Sequence, residues 1–306
     1  MDKDRAHKLA ALAGVKVPRS AVFRRGAGMD EIKAAAAELG YPLFVKPVRA
    51  GSSFGITRVT GPEGLPGAVA AAFANDRELL LEEAIPGFEV GCAVLGTDEL
   101  TVGAVDEIEL SQGFFDFEEK YTLKTSAIHC PARIHPLKAA EIQAVAKAIY
   151  RALDCKDFAR VDLFLTPEEE IVFNEVNTIP GFTAHSRYPN MMKAAGLDFT
   201  TLITRIIEAE VTSKLEAMLT RVKGIQHVSS TSDNGQGCIT LELDKHADMA
   251  ATRFEVSTII RQTWPQLPQG VSYPQLAMRR SDNNAARPFM AYTLNASTNP
   301  IDIQRY

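Results

Sequence analysis

No Cys-x-x-Cys pair occurs in the 306 residues; Cys92, Cys130, Cys155 and Cys238 are scattered. Such spacing excludes a paired-thiol site and fits reduced, mostly buried thiols of a cytosolic protein. Basic excess is also missing. Thirty-three Lys and Arg face 38 Asp and Glu, for a net charge of −5. With no RNA- or DNA-reading motif either, nucleic acid is excluded as a partner. No apolar run approaches the roughly 20 residues of a membrane span, and no Lys- or Arg-led apolar leader opens the sequence. The expected location is therefore the cytoplasm, with no membrane partner. Low-complexity segments and internal repeats are absent. Neither Gly-Lys-Ser nor Gly-Lys-Thr occurs, which excludes a Walker phosphate loop. What remains is a chain 46% apolar and 23% charged, a globular protein able to bury a real core, long enough for about two domains.

Apolar spacing and punctuating residues predict the elements. Helices are expected from the first residues to Leu12, closed by Gly14, and from Glu31 to Leu39, capped by Asp30. Others run from Pro66 to Phe73, Leu137 to Leu153, near Pro189 to Ala195, and Ala247 to Thr263. From Phe199 to Gly224, helical spacing predicts one helix of about 26 residues, roughly 39 Å long. Strands are expected over 18–23, 41–47, 78–83, 90–95, 100–110, 158–165 and 171–177. Further on, 225–231 and 238–243 flank an Asn234-Gly235 hairpin turn, with short strands near 275–279 and 288–294. Residues 111–133 form a long irregular stretch with four aromatics, the pattern of a functional lid.

Two stretches carry chemistry. The strand Tyr41–Pro47 delivers Lys46 to Val48-Arg-Ala-Gly-Ser-Ser-Phe-Gly55, where backbone N–H groups and hydroxyls can approach an anion. By itself this is a weak signal, since a serine–glycine turn is the commoner explanation. Glu82, Glu83 and Glu89 sit beside apolar strand residues and suit an adenine amine and ribose hydroxyls, surface carboxylates being the plainer alternative. The second stretch is a hairpin, Phe158–Leu165 followed by Ile171–Asn177. Alternation places Arg160, Asp162, Glu175 and Asn177 on one face. Carboxylate plus amide oxygen is hard-cation chemistry, suited to Mg²⁺ that also holds phosphate. The plainer alternative is a solvated polar face.

Six segments in order strengthen the chemical reading: Met1-Asp-Lys-Asp-Arg5, Phe44-Val-Lys-Pro-Val-Arg-Ala-Gly-Ser-Ser-Phe-Gly55, Gly87-Phe-Glu-Val-Gly91, Glu119-Lys-Tyr121, Arg160-Val-Asp162, and Glu175-Val-Asn-Thr-Ile-Pro-Gly-Phe-Thr-Ala-His-Ser186. Over residues 1–209 they resemble the ATP-grasp D-alanine–D-alanine ligase family, closest to its D-alanine–D-serine subclass of glycopeptide resistance (VanG-type). The resemblance implies an α+β fold, with a nucleotide-binding lobe at 1–88 and a metal- and substrate-binding lobe at 89–209. It implies ATP with two Mg²⁺ ions (Mn²⁺ as substitute), D-alanine and D-serine as substrates, a place in cell-wall precursor synthesis, and a possible homodimer. By the same resemblance Lys3, Lys46 and Ser53 hold ATP phosphates, Glu82 and Glu89 hold adenine and ribose, and Phe114 covers the base. Asp162, Glu175 and Asn177 bind the metal. Arg160 and the Gly181 N–H form an oxyanion site. Ser52 and Tyr121 hold the lid, while Lys120 and Ser186 hold phosphate and the second substrate's carboxylate.

Substrate choice is expected to rest on Arg187, which the wider family replaces with an aliphatic residue, together with Asp106 and Phe115. A pocket that hydrogen-bonds a hydroxyl discriminates strongly against the analogue lacking it. The alternative is an Arg187 paired with a neighbouring acid, leaving D-alanine preferred. Tyr121 argues against a D-lactate-forming enzyme. Two departures stand out. The likeness starts inside the family's ATP-binding portion, so the N-terminal domain and its glutamate for the first D-alanine's ammonium have no counterpart, and a complementing domain is a possible partner. Residues 210–306 instead resemble part of a porter subdomain of RND efflux transporters, giving a small incomplete α/β module joined through the long helix near 208–212. Besides a ligase, a nucleotide-binding fragment without catalysis and an assembly module for a membrane pump are alternatives.

Overall fold

The structure is a computed structural model that describes residues 2–51, 54–110, 126–183, 185–233, 236–244, 246–267, 271–277 and 290–293. It divides into two compact units, residues 1–181 with 185–195, and residues 182–184 with 196–306.

In the first unit, β1 (Ser20–Arg24), β2 (Leu43–Pro47), β3 (Thr57–Val59) and β4 (Glu78–Glu83) form an antiparallel sheet in the order β1-β4-β2-β3. The run Glu-Leu-Leu-Leu-Glu-Glu of β4 is buried on both faces at its centre. Leu79 and Leu81, with Leu43 and Val45 of β2, meet the apolar stripes of helices α2 (Met29–Leu39) and α3 (Leu65–Asn75). Period-two alternation then sends Phe44, Lys46 and Glu82 to the opposite face. Asp30 does not cap α2: Gly28 occupies that position without a side-chain bond, and Asp30 and Glu31 lie in the first turn. There they complement the positive end of the helix dipole.

The second sheet of this unit contains β5 (Phe88–Leu95), β6 (Thr101–Val102), β7 (Asp106–Leu110), β8 (Ser126–His129), β9 (Phe158–Leu165) and β10 (Ile171–Asn177). Its order is β10-β9-β5-β7-β8, with β6 also on β5. Helices α1 (Lys3–Leu12) and α4 (Pro136–Ala152) bury Ala6, Ala10, Ile142, Ala146 and Ile149 against Val90, Val94, Val161, Leu163 and Phe173. The strand expected over 100–110 is broken at Gly103, where a side chain would meet Met191 at 3.0 Å. The stretch expected to be irregular as far as Arg133 contains β8, paired to β7 from Glu107↔His129 to Leu110↔Ser126. Helix α5 (Arg187–Ala194) begins two residues ahead of the expected Pro189. Proline is tolerated there because first-turn N–H groups have no intrahelical acceptor.

The second unit opens with α6 (Phe199–Ile207), a π-helical turn (Glu208–Thr212) and α7 (Ser213–Leu219). The hairpin β11 (Ile225–Asp233) and β12 (Gln236–Leu243), helix α8 (Met249–Thr263), and strands β13 (Gln275–Leu276) and β14 (Met290–Thr293) follow, with sheet order β11-β12-β14-β13. The expected unbroken helix to Gly224 therefore ends at Leu219 and is widened midway. The cause is legible in its buried residues, Ile207, Val211, Leu215 and Leu219. A strict four-residue step drifts about 40° per repeat around an α-helix. A π turn takes more residues per revolution and holds the stripe toward Ile239, Leu241, Val256 and Ile260. Among the described residues, no helix is long and apolar enough to cross a membrane.

Candidate functional site

Lys46 lies on β2 two positions from the Phe44↔Glu82 pair, so the lysine and Glu82 share a face. Its Nζ donates to Glu82 Oε1 at 2.5 Å, with Lys46 7% and Glu82 2% exposed. The ammonium also sits 5.4 Å from the Phe44 ring centroid. The second carboxylate oxygen, Glu82 Oε2, is buried with no hydrogen-bond partner among the described residues. A buried oxygen of this kind awaits a donor. Lys3, the first residue of α1, donates from Nζ to the carbonyl of Ala50 at 2.6 Å and approaches that of Pro47 at 3.5 Å. Arg49 fixes the root of the same loop: its N–H donates to Asp76 Oδ2 at 2.8 Å, and its guanidinium meets Asp2, Asp76 and Glu78. Both expected phosphate lysines thus stand at the base of the loop that begins at Val48. Ser52 and Ser53 lie outside the described residues, as do Phe114, Phe115, Lys120 and Tyr121.

On the hairpin, Glu175 pairs with Asp162 and Asn177 with Arg160, so the four polar residues do share one face. Simple alternation does not account for this, because it would also put Phe173, two residues before Glu175, on that face. A β-bulge between Phe173 and Glu175 absorbs the difference. Phe173 stays opposite Leu163 in the core, Asn174 is the extra residue, and Glu175 turns to Asp162. The backbone groups at the bulge are met by the N-terminal segment. Phe173 N–H donates to Lys16 O at 2.9 Å, and the Asn174 carbonyl lies 2.9 Å from His7 Nε2. The carboxylate of Asp162 accepts from Arg160 Nε and Nη2, each at 2.7 Å. Asn177 Oδ1 accepts from the Ile179 N–H at 3.1 Å.

Arg187 is 9% exposed and ringed by acids. Its Nε and Nη2 donate to the two oxygens of Asp106 at 2.7 Å, Nη1 donates to Glu89 Oε1 at 2.9 Å, and Nη1 lies 3.4 Å from Asp162 Oδ1. Burial works against its charge, yet Asp106 and Asp162 hold its pKa well above the usual arginine value. Gly91 makes room for this arrangement, since a Cβ there would meet Arg187 Nη2 at 2.4 Å. The expectation of open guanidinium donors for a substrate hydroxyl is thereby corrected: the acid-paired alternative is the geometry present. Glu89, expected at a ribose, belongs to the same network. Three carboxylates face two guanidiniums here, a local excess of negative charge that suits a cation. Asp162, Glu175 and Asn177 supply two carboxylates and an amide, all oxygen donors. Among the described residues no three His, Cys, Asp or Glu side chains converge as a metal cluster. Gly181 and Ser186 are neighbours, a Cβ at Gly181 lying 2.8 Å from Ser186 Oγ.

Two further features escaped the sequence. Arg133 grips Glu107 at 2.6 Å; burial of Glu107 opposes ionisation, but this partner holds its carboxyl below the ordinary range. Cys130, beside Asp106 and Arg187, has its thiol pushed up to about 11, first by burial and then by Asp106. At pH 8 the reactive thiolate is therefore scarce. Iodoacetamide is expected to modify Cys130 on the order of a hundredfold more slowly than a free cysteine. Peptide mass spectrometry over a time course reads this, and modification at the free-thiol rate counts against the burial described.

Two antiparallel sheets with their helices, one carrying Lys46 and the other the polar hairpin, match the α+β fold of ATP-grasp ligases. The chain belongs to the D-alanine–D-alanine ligase family: the model described as D-ala D-ala ligase C-terminus matches residues 9–208. A second model, the AcrB/AcrD/AcrF family, matches residues 197–306. The vancomycin B-type resistance protein VanB of Enterococcus faecalis is 46% identical over 212 residues, covering 68% of this chain and 60% of the relative. A candidate D-alanine–D-lactate ligase of Streptomyces coelicolor is 44% identical over 220 residues, covering 70% and 62% respectively. The crystal structure of the VanG D-Ala:D-Ser ligase from Enterococcus faecalis superposes with a TM-score of 0.63 at 61% identity. It covers 68% of this chain and 60% of that one. The chain spans about three fifths of the length of these relatives.

Proposed function

We propose that residues 1–209 bind ATP with Mg²⁺ and join D-alanine to a second D-amino acid. Residues 1–88 serve the nucleotide and 89–209 the metal and substrates, while 210–306 form a porter-like module without a part in the chemistry. The observation that carries this reading is the register of the hairpin, Glu175 against Asp162 and Asn177 against Arg160. Mg²⁺ would be held by Asp162, Glu175 and Asn177, where it supplies charge neutralisation for phosphate oxygens. Lys46 and Lys3 hold the phosphates, and Glu82 offers Oε2, which has no partner among the described residues, to an adenine amine. A carboxylate is a poor acyl donor. Phosphoryl transfer from ATP makes D-alanine an acyl phosphate, which the amine of the second substrate attacks. Arg160 and the Gly181 N–H are set to stabilise the oxyanion that develops. Phosphoryl transfer itself needs mainly positioning and neutralised charge. A cytoplasmic location supplies ATP and keeps the thiols reduced.

D-Serine as second substrate is supported by the 61% likeness to the VanG structure, not by an open guanidinium at Arg187. The test is mass spectrometry of products after incubation with ATP, Mg²⁺ and D-alanine, alone and with D-serine or D-lactate. A D-alanyl-D-serine product in excess of D-alanyl-D-alanine is expected. D-Alanyl-D-alanine or a D-lactate ester as main product overturns the D-serine assignment. The second reading is nucleotide binding without ligation. Calorimetric binding of ATP·Mg²⁺ with no dipeptide in any mixture would establish that one.

A further inference from the structure

Helix α1 carries two side chains four residues apart that reach opposite parts of the site. Lys3 Nζ binds the carbonyl of Ala50 on the glycine–serine loop, and His7 lies against the β10 bulge. Residues at i and i+4 stack on one helix face. His7 is 3% exposed, packs edge-on to Phe173 at 5.5 Å between centroids, and has Nε2 2.9 Å from Asn174 O. A carbonyl only accepts, so Nε2 carries the proton of this bond, and Nδ1 is the other ring nitrogen. That nitrogen is buried without a partner among the described residues. The ring is thus committed to a single bond, and that bond lands on the extra residue of the bulge. The next residue is Glu175, opposite Asp162, and Asn177 follows two later.

We propose that His7 is a positioning residue: its Nε2–H bond to Asn174 O holds the bulge that aims Glu175 and Asn177 at the divalent cation. Through Lys3 on the same face, α1 ties this metal-facing strand to the phosphate-facing loop. The function of the bond rests on the nucleotide–metal reading above; the bond's hold on the strand does not. The buried partners of metal ligands matter in general because they fix ligand direction.

The experiment uses the full chain with His7→Leu, which keeps bulk but removes the donor, and His7→Gln, whose amide nitrogen reaches the place of Nε2. Mg²⁺ is titrated at fixed non-hydrolysable ATP analogue, and amide hydrogen exchange is followed across residues 173–177 without ligand. The Mg²⁺ midpoint is expected to rise on the order of tenfold in His7→Leu and to return to within about twofold in His7→Gln. Exchange at 175–177 should speed up in His7→Leu alone. A midpoint unchanged in His7→Leu overturns the proposal, and so does a His7→Gln chain as impaired as His7→Leu, which would make packing the cause. If the unsubstituted chain binds no Mg²⁺-nucleotide, the nucleotide reading fails. In that event faster exchange confined to His7→Leu still supports the hold on the strand, and identical exchange in all three chains overturns it.

Discussion

Arg187→Met is expected to destabilise the first unit by about 3–5 kcal/mol, the usual cost of removing one partner from a buried charge pair. Two of the three donor nitrogens of Arg187 engage Asp106, which is 0% exposed, and the third engages Glu89. Methionine matches the stem of arginine but leaves the Asp106 carboxylate in the core without a counter-charge. Urea unfolding of both chains, fitted with a common slope, gives the difference. Arg187→Lys should recover little, because an ammonium cannot make the paired bonds that the planar guanidinium makes. Adding Asp106→Leu to Arg187→Met should restore part of the loss, since replacing a whole buried pair by apolar groups is far milder than halving it. Only part returns, because Glu89 also loses its bond from Arg187, while Asp162 keeps its pair of bonds from Arg160. A cost below about 1 kcal/mol for Arg187→Met would mean the network is exposed to water rather than buried.

The second large effect separates binding from folding. Lys46→Met is expected to weaken ATP·Mg²⁺ binding by at least about a hundredfold, the loss of a charge-assisted contact to phosphate in a desolvated place. It should also destabilise the chain, because Glu82 keeps its carboxylate at 2% exposure without the ammonium. A loss of binding alone would then be ambiguous. The double variant Lys46→Met/Glu82→Gln removes both charges and is expected to regain most of the stability while still failing to bind nucleotide. Calorimetry with the non-hydrolysable analogue, run beside thermal unfolding, measures the two quantities separately. Nucleotide affinity that returns with stability in the double variant would place the phosphates elsewhere.

Much of the first unit was legible in the sequence because its signals are local. The three leucines of β4, the alternation in Ala159-Arg-Val-Asp-Leu163, and the proline–glutamate turn after Leu165 each specify an element by themselves. What escaped depends on partners far along the chain. Arg187 meets Asp106 and Glu89 across 81 and 98 residues, and nothing near Arg187 announces that its donors are taken. The bulge at Asn174 left one trace, an apolar Phe173 and an acidic Glu175 at the same parity. Alternation alone could not say which strand position was extra. His7 gave no signal, since its role requires knowing that α1 lies on β10. In the second unit the wide turn was hidden because a step of four looks helical over any short window. Small drift accumulates only when the buried side chains are counted together.

That wide turn makes phase the governing constraint where the two family matches meet. They overlap at residues 197–208, and the wide turn Glu208–Thr212 starts at the last residue of that overlap. Dropping one residue there would swing every later side chain of the helix by about 100°. Leu215 and Leu219 would leave Ile239 and Ile260 for solvent, whereas a whole-turn change would return them. Where the two family matches meet, the apolar seam of the helix is kept in step by five loosely wound residues.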